Sequence, residues 1–531
     1  MDDRGERPGD RPTDDGGDRP AGSGAPSAER GLDLILEEVE TVVEPIAESM
    51  AFSPAVGIAV AGGPMVTLPP DVAPPGSAAA GNTLKAGLVQ AGPVAVAGMV
   101  VNVAAALVVI AVARLVSSRS YGEIAQLLGL FFILSMPGSA VLVGVVRRVT
   151  MLQASGQSPL VRGWVARVHR IGLVAIVVEL AVVLVLRDWI AHQLGMADGA
   201  GVVLILMAAG VWVLLCVDRG LLQAHRSYSQ LAANLLVEGG VRTALVVVLV
   251  VGGMGVSGYA LGVLVSEAVA TVHAHWLANR SWADSASAPV AVDGAAGRIP
   301  SGAAPERAPE VVLARRKLLA DVSAAFVGLA LLGLLQNVDV ILLGRLDHAE
   351  VGPYAAISVA SKALVFGALA LGAYLLPEAT IRWNEGGHAI RQLGVTLLFL
   401  AVPSAFLLAI AVVVPRQFLT LVFSARLSTA APAFAPLVLA MMCLSFTVLV
   451  TNYLFGTGSR WIVLLLASGS GLAVALVTVA DGRPEATAWA DLVVQGVLAT
   501  AMAVAFLAIH RRHRGRHWSA RWGWQKIAGR G

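Results

Sequence analysis

The sequence predicts an all-α polytopic membrane protein with about twelve transmembrane helices in two six-helix bundles. Three observations predict this class. Twelve apolar stretches separated by short polar loops run from about residue 84 to 510. Hydrophobic residues make up 56% of the chain and charged ones only 14%, against roughly 25% charged in a soluble domain. Mean hydropathy is +0.75. Within lipid only a helix satisfies its own backbone along one segment, and each crossing takes about 20 mostly apolar residues.

Residues 1–30 are rich in Gly, Pro, Asp and Arg and read as disordered; they lack the positive start and apolar run of a cleaved signal peptide. In 31–49 apolar residues recur at near-helical spacing among acids, the pattern of a short amphipathic helix. That helix is either transient or a docking element for a partner. The following AFSPAVGIAVAGG is too short to span, and PPDVAPPGSAAAG reads as a linker. Residues 1–83 are thus expected to form an acidic, disordered cytoplasmic tail.

Crossings are expected at 84–113, 123–146, 171–190, 201–217, 230–251 and 256–277, forming a first bundle over 84–278. A flexible cytoplasmic linker, 279–314, leads to the second bundle, 315–510, with crossings at 318–343, 352–376, 393–413, 433–453, 461–480 and 488–509. The tail 511–531 sets Trp518, Trp522 and Trp524 among basic residues, the composition of a surface anchor for anionic headgroups or of a docking site.

Lys and Arg set the orientation. With the N-terminus inside, the loops and tail on the cytoplasmic side hold 23 of them and the outer loops 7, namely Arg114, Arg119, Arg187, Arg345, Arg416, Arg426 and Arg483. Both termini are expected to be cytoplasmic, in the plasma membrane. The formal charge of +3 divides into −10 over residues 1–83 and +13 over the rest. The positive excess flanks the membrane, so the topology accounts for a pI near 9.0 without nucleic acid as a partner.

Cys216 and Cys443 fall in separate crossings with no CxxC or Cys/His spacing, so no disulfide framework or metal site is predicted. His273 and His275 stand two apart and face different sides of a helix. No GxxxxGK[ST] loop occurs, so ATP hydrolysis is not expected, and no cofactor is called for.

The linker divides the membrane region six and six. Arg114-Leu115 leading to Tyr121-Gly122 at the first outer hairpin is echoed by Arg345-Leu346 leading to Val351-Gly352 at the seventh helix. Such repeats are the usual build of secondary transporters, with a substrate site near the midplane between halves.

The stretch LLQNVDVILLGRLDHAEVGPYAAISVASKALVF, residues 334–366, resembles the seventh and eighth helices of polysaccharide flippases: an Asp-containing helix, an LG pair, then a VGxY hairpin. RGLLQAHRSYSQLAANLLVEGGVR at 219–242 and LLPE at 375–378 are similar to further parts of that pattern. The resemblance is to the multidrug, oligosaccharidyl-lipid and polysaccharide (MOP) exporter superfamily, in its polysaccharide branch, and covers about 84–510. It implies a V-shaped pair of bundles working by alternating access, with a polyprenyl-pyrophosphate-linked glycan as cargo. The tail 1–83 lies outside it.

Charges within crossings are costly, about 2.5 to 3.5 kcal/mol each on insertion scales, and therefore face the protein interior or a wet cavity. Lys362, near the middle of the eighth helix, is either a cation for the cargo's pyrophosphate or a lysine paired with an acid elsewhere, such as Glu267. Glu238 and Arg242 are four apart on one helical face; they form an internal ion pair, or Arg242 is released to the cargo's phosphates. Glu179 and Glu267 are candidate proton or sodium sites, since buried carboxylates exchange protons in the physiological range. Asp339, with Gln336 and Asn337, resembles the family's Asp and is read as an outer gate across the halves or an exposed helix end. Asn102 is its counterpart in the first helix, an interhelical hydrogen-bonding group or a ligand. Substrate binding is thus expected of Lys362, Arg242 and Asn102, and coupling or gating of Glu179, Glu238, Glu267, Asp339 and Asn337.

The reading is a non-enzymatic flippase. Its siblings are a lipid II flippase or drug antiporter of the same superfamily. A membrane scaffold of an envelope polysaccharide-assembly complex, recruiting partners through the N-terminal tail, is the alternative from another class.

Overall fold

The computed structural model describes residues 77–154, 158–196, 198–287, 308–384, 390–456, 459 and 461–528. The amphipathic helix expected at 31–49, the rest of the tail up to residue 76, and the middle of the linker, 288–307, lie outside the described residues. Helix accounts for 93% of the structure, with no strand among the described residues, so the elements are joined by side-chain contacts and close helix packing rather than by a sheet ladder.

Among the described residues, eleven helical stretches are long and apolar enough to cross a membrane. One of them, Tyr228–Arg280, runs for 53 residues. An unbroken helix of that size would be about 80 Å long against about 30 Å of hydrocarbon. The chain instead turns back inside it, at Gly253 (φ +87°) and Gly255 (φ +52°, ψ −125°). Residues with a Cβ adopt such angles only at a cost. That stretch therefore makes two crossings, which gives twelve among the described residues of a multi-pass membrane protein. The helices are α1 (Ser77–Leu115), α2 (Ser118–Ala154), α3 (Ser158–Leu194), α4 (Ala200–Ala224), α5 (Tyr228–Leu249), α6 (Gly255–Ser287), α7 (Ala308–Leu346), α8 (Val351–Asn384), α9 (Ile390–Val413), α10 (Phe434–Gly456), α11 (Ile462–Val479) and α12 (Pro484–Ala528). A short helix, Pro415–Val422, lies between α9 and α10.

Two boundaries differ from expectation. Helix α6 continues to Ser287 and α7 begins at Ala308, so both ends of the expected linker are helical. No proline stops α6 before Pro289, and Pro309 sits in the first turn of α7, where its missing N–H costs nothing. Helix α12 likewise continues to Ala528, through most of the segment expected as a separate tail.

The packing repeats. In the first half α1 packs on α5, α2 on α4, α3 on α4, α4 on α6 and α5 on α6. Six helices later the same five pairings recur: α7 on α11, α8 on α10, α9 on α10, α10 on α12 and α11 on α12. The halves meet where α2 packs on α7 and α8. Side-chain caps begin the two equivalent hairpins. Ser117 Oγ accepts from the Ser120 N–H at 3.1 Å, and Asp347 Oδ1 accepts from the Ala349 N–H at 2.8 Å.

Candidate functional site

The seam between the halves is built on small residues. A Cβ on Gly122 would lie 2.8 Å from the backbone nitrogen of Gly352, and one on Gly352 would run into the carbonyl of Ser118. The two glycines of the sequence echo thus pack backbone on backbone. Further along α2, Gly129 lets Asn337 of α7 approach, and Gly333 of α7 sits on the backbone of Ile133. Gln126 donates to Leu194 O at 2.9 Å and to Ile341 O at 3.3 Å, tying α2 to both halves.

Two arginines lock the same end. Arg114, ending α1, donates to the carbonyls of Leu421 and Val422; Arg426 donates in return to the carbonyls of Ala113 and Arg114, both at 3.0 Å. Each half therefore caps backbone of the other. The halves are therefore closed at this end, the one that the loop charges lead the sequence to expect outside.

Below the lock, α2, α7 and α8 enclose a cavity of about 30 Å³, room for one or two waters, lined by Leu128, Phe132, Asn337, Ser358, Lys362 and Phe366 among others. Lys362 donates to Asn337 Oδ1 at 3.2 Å and lies 3.8 Å from Asp339. Its acid is thus Asp339 of its own half, not Glu267. Asp339 is fully buried rather than exposed at a helix end, and it accepts from Tyr354 Oη at 3.0 Å. Its partners lie within the second half, so it is not the cross-half hydrogen bond expected of a gate; Asn337 stands at the seam instead.

Asp491 of α12, fully buried, accepts from Gln495 Nε2 at 3.1 Å, and Gln495 also donates to Leu335 O of α7 at 3.2 Å. Among the described residues, Asp339 Oδ1, Asp491 Oδ2, Gln495 Oε1 and both amide atoms of Gln336 have no hydrogen-bond partner. One lysine stands against two carboxylates here. The unpartnered acceptors gather around these acids.

In the first half, four charged groups balance one another. Glu238 of α5 pairs with Arg242 one turn on and with Arg219 of α4, and Arg242 pairs with Glu267 of α6. Arg219 also donates to Asn234 Oδ1 at 2.7 Å, while the Asn234 amide is held by Ala270 O at 2.8 Å. Two positive and two negative groups, all buried, form one chain of ion pairs. The expected Glu238–Arg242 pair is its middle link. Arg219, read as a loop residue in the sequence, lies inside the bundle because α4 runs seven residues further than expected, to Ala224.

Two candidates stand apart. Glu179 lies on α3, where Val183 is the only buried residue between Arg170 and Ile190, and its carboxylate packs on Gly210 of α4. Asn102 is half-buried on α1, its amide oxygen without a partner among the described residues. The sequence reading missed Arg219, Asn234, Tyr354, Asp491 and Gln495. Asp491 and Gln495 carried a signal, two polar residues at i and i+4 in an apolar helix.

A scan of the sequence against protein-family models finds no match, and neither does a search of curated proteins. Solved structures do match the fold. The lipid II flippase MurJ in an inward closed conformation superimposes with a TM-score of 0.57 and 10% identity, over 77% of this chain and 86% of that one. An inward-facing multidrug resistance MATE family transporter of the MOP superfamily gives 0.55 and 13% over 76% and 95%. A MOP superfamily transporter from Pyrococcus furiosus gives 0.51 and 14% over 79% and 92%. At these identities the likeness is one of fold.

Proposed function

We propose that this chain is an alternating-access flippase of the plasma membrane, with both termini cytoplasmic, that moves a polyprenyl-pyrophosphate-linked glycan outward. The observation that carries it is Lys362, a buried cation on the wall between two half-bundles that are latched at one end. The shared fold of MurJ and MATE proteins supports the flipping class, and the polysaccharide-type stretch at 334–366 supports the cargo.

In this reading the cargo's headgroup enters between the halves from the cytoplasmic side while its prenyl tail stays in lipid. The diphosphate competes with Asp339 for Lys362. Once Lys362 turns to phosphate, Asp339 and Asp491 face each other without compensation, and a proton or Na⁺ takes the vacant charge. Cargo and coupling ion are thereby tied to one lysine. The balanced network around Arg242 holds the first half rigid, so Arg242 is structural rather than a phosphate ligand. No covalent bond is made or broken, and no catalytic group is required.

Turnover of a labelled polyprenyl-pyrophosphate oligosaccharide in proteoliposomes tests this, scored by access of an external glycan-cleaving enzyme. Wild type should flip and Lys362→Ala should not. Equal turnover in the two would remove Lys362 as the ligand; none by folded wild type would remove the cargo class.

A further inference from the structure

At the end of the first half opposite the outer lock, three helices bring together His169 of α3, Asp218 of α4 and His275 of α6. His169 Nε2 lies 3.0 Å from Asp218 Oδ1, and His275 Nδ1 lies 3.2 Å from the same oxygen. One ligand atom from each residue lies within 4.8 Å of the other two. The imidazoles meet edge to face with centroids 5.0 Å apart.

The arrangement of acceptors suits a cation here. His169 Nδ1 is 3.1 Å from Val165 O, an acceptor only, which favours the tautomer with its hydrogen on Nδ1. The Nε2 lone pair of a neutral His169 then points at a carboxylate that is 1% exposed. Two acceptors at 3.0 Å repel unless a proton or a metal ion lies between them. A ring whose Nδ1 is anchored to a backbone carbonyl and whose Nε2 is left free is oriented as metal-bound histidines are.

We propose that His169, Asp218 and His275 bind one divalent transition-metal ion of the zinc class. Bonds of about 2.0 to 2.2 Å in tetrahedral geometry put ligand atoms about 3.4 Å apart, close to the 3.0 and 3.2 Å that separate Asp218 Oδ1 from the two ring nitrogens, and a rotation of the exposed His275 ring brings the two nitrogens, now within 4.8 Å, to that spacing. The half-exposed His275, 52% accessible at its side chain, leaves room for a water as fourth ligand and an entry path. Each ligand comes from a different helix, so the ion would clamp α3, otherwise turned almost wholly outward, to the interior helices α4 and α6. His273 is not part of the site: it stacks on Trp276 with centroids 6.1 Å apart.

The test uses full-length protein purified on a tag without histidines, stripped with chelator and titrated with Zn²⁺ and Co²⁺. Wild type should retain about one ion per chain, with the strong visible absorption of tetrahedral Co²⁺, and should melt at higher temperature with Zn²⁺ than without. His275→Ala, at an exposed position that leaves folding intact, should weaken binding by at least about tenfold; Asp218→Asn should abolish it, and His273→Ala should change nothing. Absence of stoichiometric metal in wild type, which would leave a proton as the bridging cation, overturns the proposal. So does binding that survives His275→Ala or is lost in His273→Ala. These readouts do not depend on transport and stand apart from the cargo assignment.

Discussion

Lys362 reaches from α8 to within 3.8 Å of Asp339 on α7, in a half of the protein that also buries Asp491. The pair is therefore one cation among two acids. Lys362→Met leaves two uncompensated buried carboxylates, whereas Asp339→Asn leaves Lys362 with Asp491 nearby. Removing one partner of a buried pair costs about 3 to 5 kcal/mol. Lys362→Met should fall in that range and Asp339→Asn clearly below it, measured as loss of thermal stability in detergent. Equal losses would show that Asp491 does not share the lysine.

Glu238 serves Arg219 and Arg242 together. Glu238→Gln leaves two buried arginines against Glu267 alone and should cost about 3 to 5 kcal/mol. Exchanging the charges at 238 and 242 should not rescue the protein, because an arginine at 238 would face Arg219 and a glutamate at 242 would face Glu267. Recovery of stability on exchange would mean that the pair acts in isolation.

The seam at Gly122 has no room for a side chain. Gly122→Leu should hold the outer end apart and shift the population toward the open state. A thiol placed at Ser117, beside the seam, should then react with an impermeant reagent several-fold faster than in the glycine background. An unchanged rate would separate this contact from gating.

The α5–α6 reversal rests on Gly253 and Gly255. Gly253 lies near the left-handed region that other residues reach at about 1 to 2 kcal/mol, whereas the angles of Gly255 are open to glycine alone. Gly255→Ala should therefore destabilise more than Gly253→Ala in chemical unfolding. The reverse order would place the strain elsewhere in the turn.

On the proposed function, flux should respond to a cation that balances Asp339 and Asp491. Asp339→Asn/Asp491→Asn protein should lose its dependence on proton or Na⁺ gradients in liposomes while it still binds cargo. Retained dependence would move coupling to Glu179, the half-buried carboxylate of α3.

The crossings were legible because lipid enforces one rule along the whole chain, and the paired hairpins at Arg114–Gly122 and Arg345–Gly352 showed the duplication before any contact was visible. Individual charges could be singled out as costly, but not matched. Lys362 was weighed against Glu267, yet these lie in different halves; its acid is Asp339, 23 residues before it in the sequence. Partner choice depends on how helices are rotated and stacked, which periodicity in uniformly apolar helices does not encode. Arg219 and Asp218 were lost to a boundary a few residues short, and Asp491 to its place three residues inside its helix. The His169, Asp218 and His275 cluster draws on three helices and has no spacing to betray it.

The meeting of Gly122 and Gly352 bears on what the protein must refuse as well as on what it moves. A plug made of long side chains can breathe, since rotamers hop in nanoseconds and let water files form. Main chain against main chain offers no such freedom: parting it requires whole helices to shift. A membrane protein closed by such a seam can thus sit in an energised bilayer without short-circuiting the ion gradients across it.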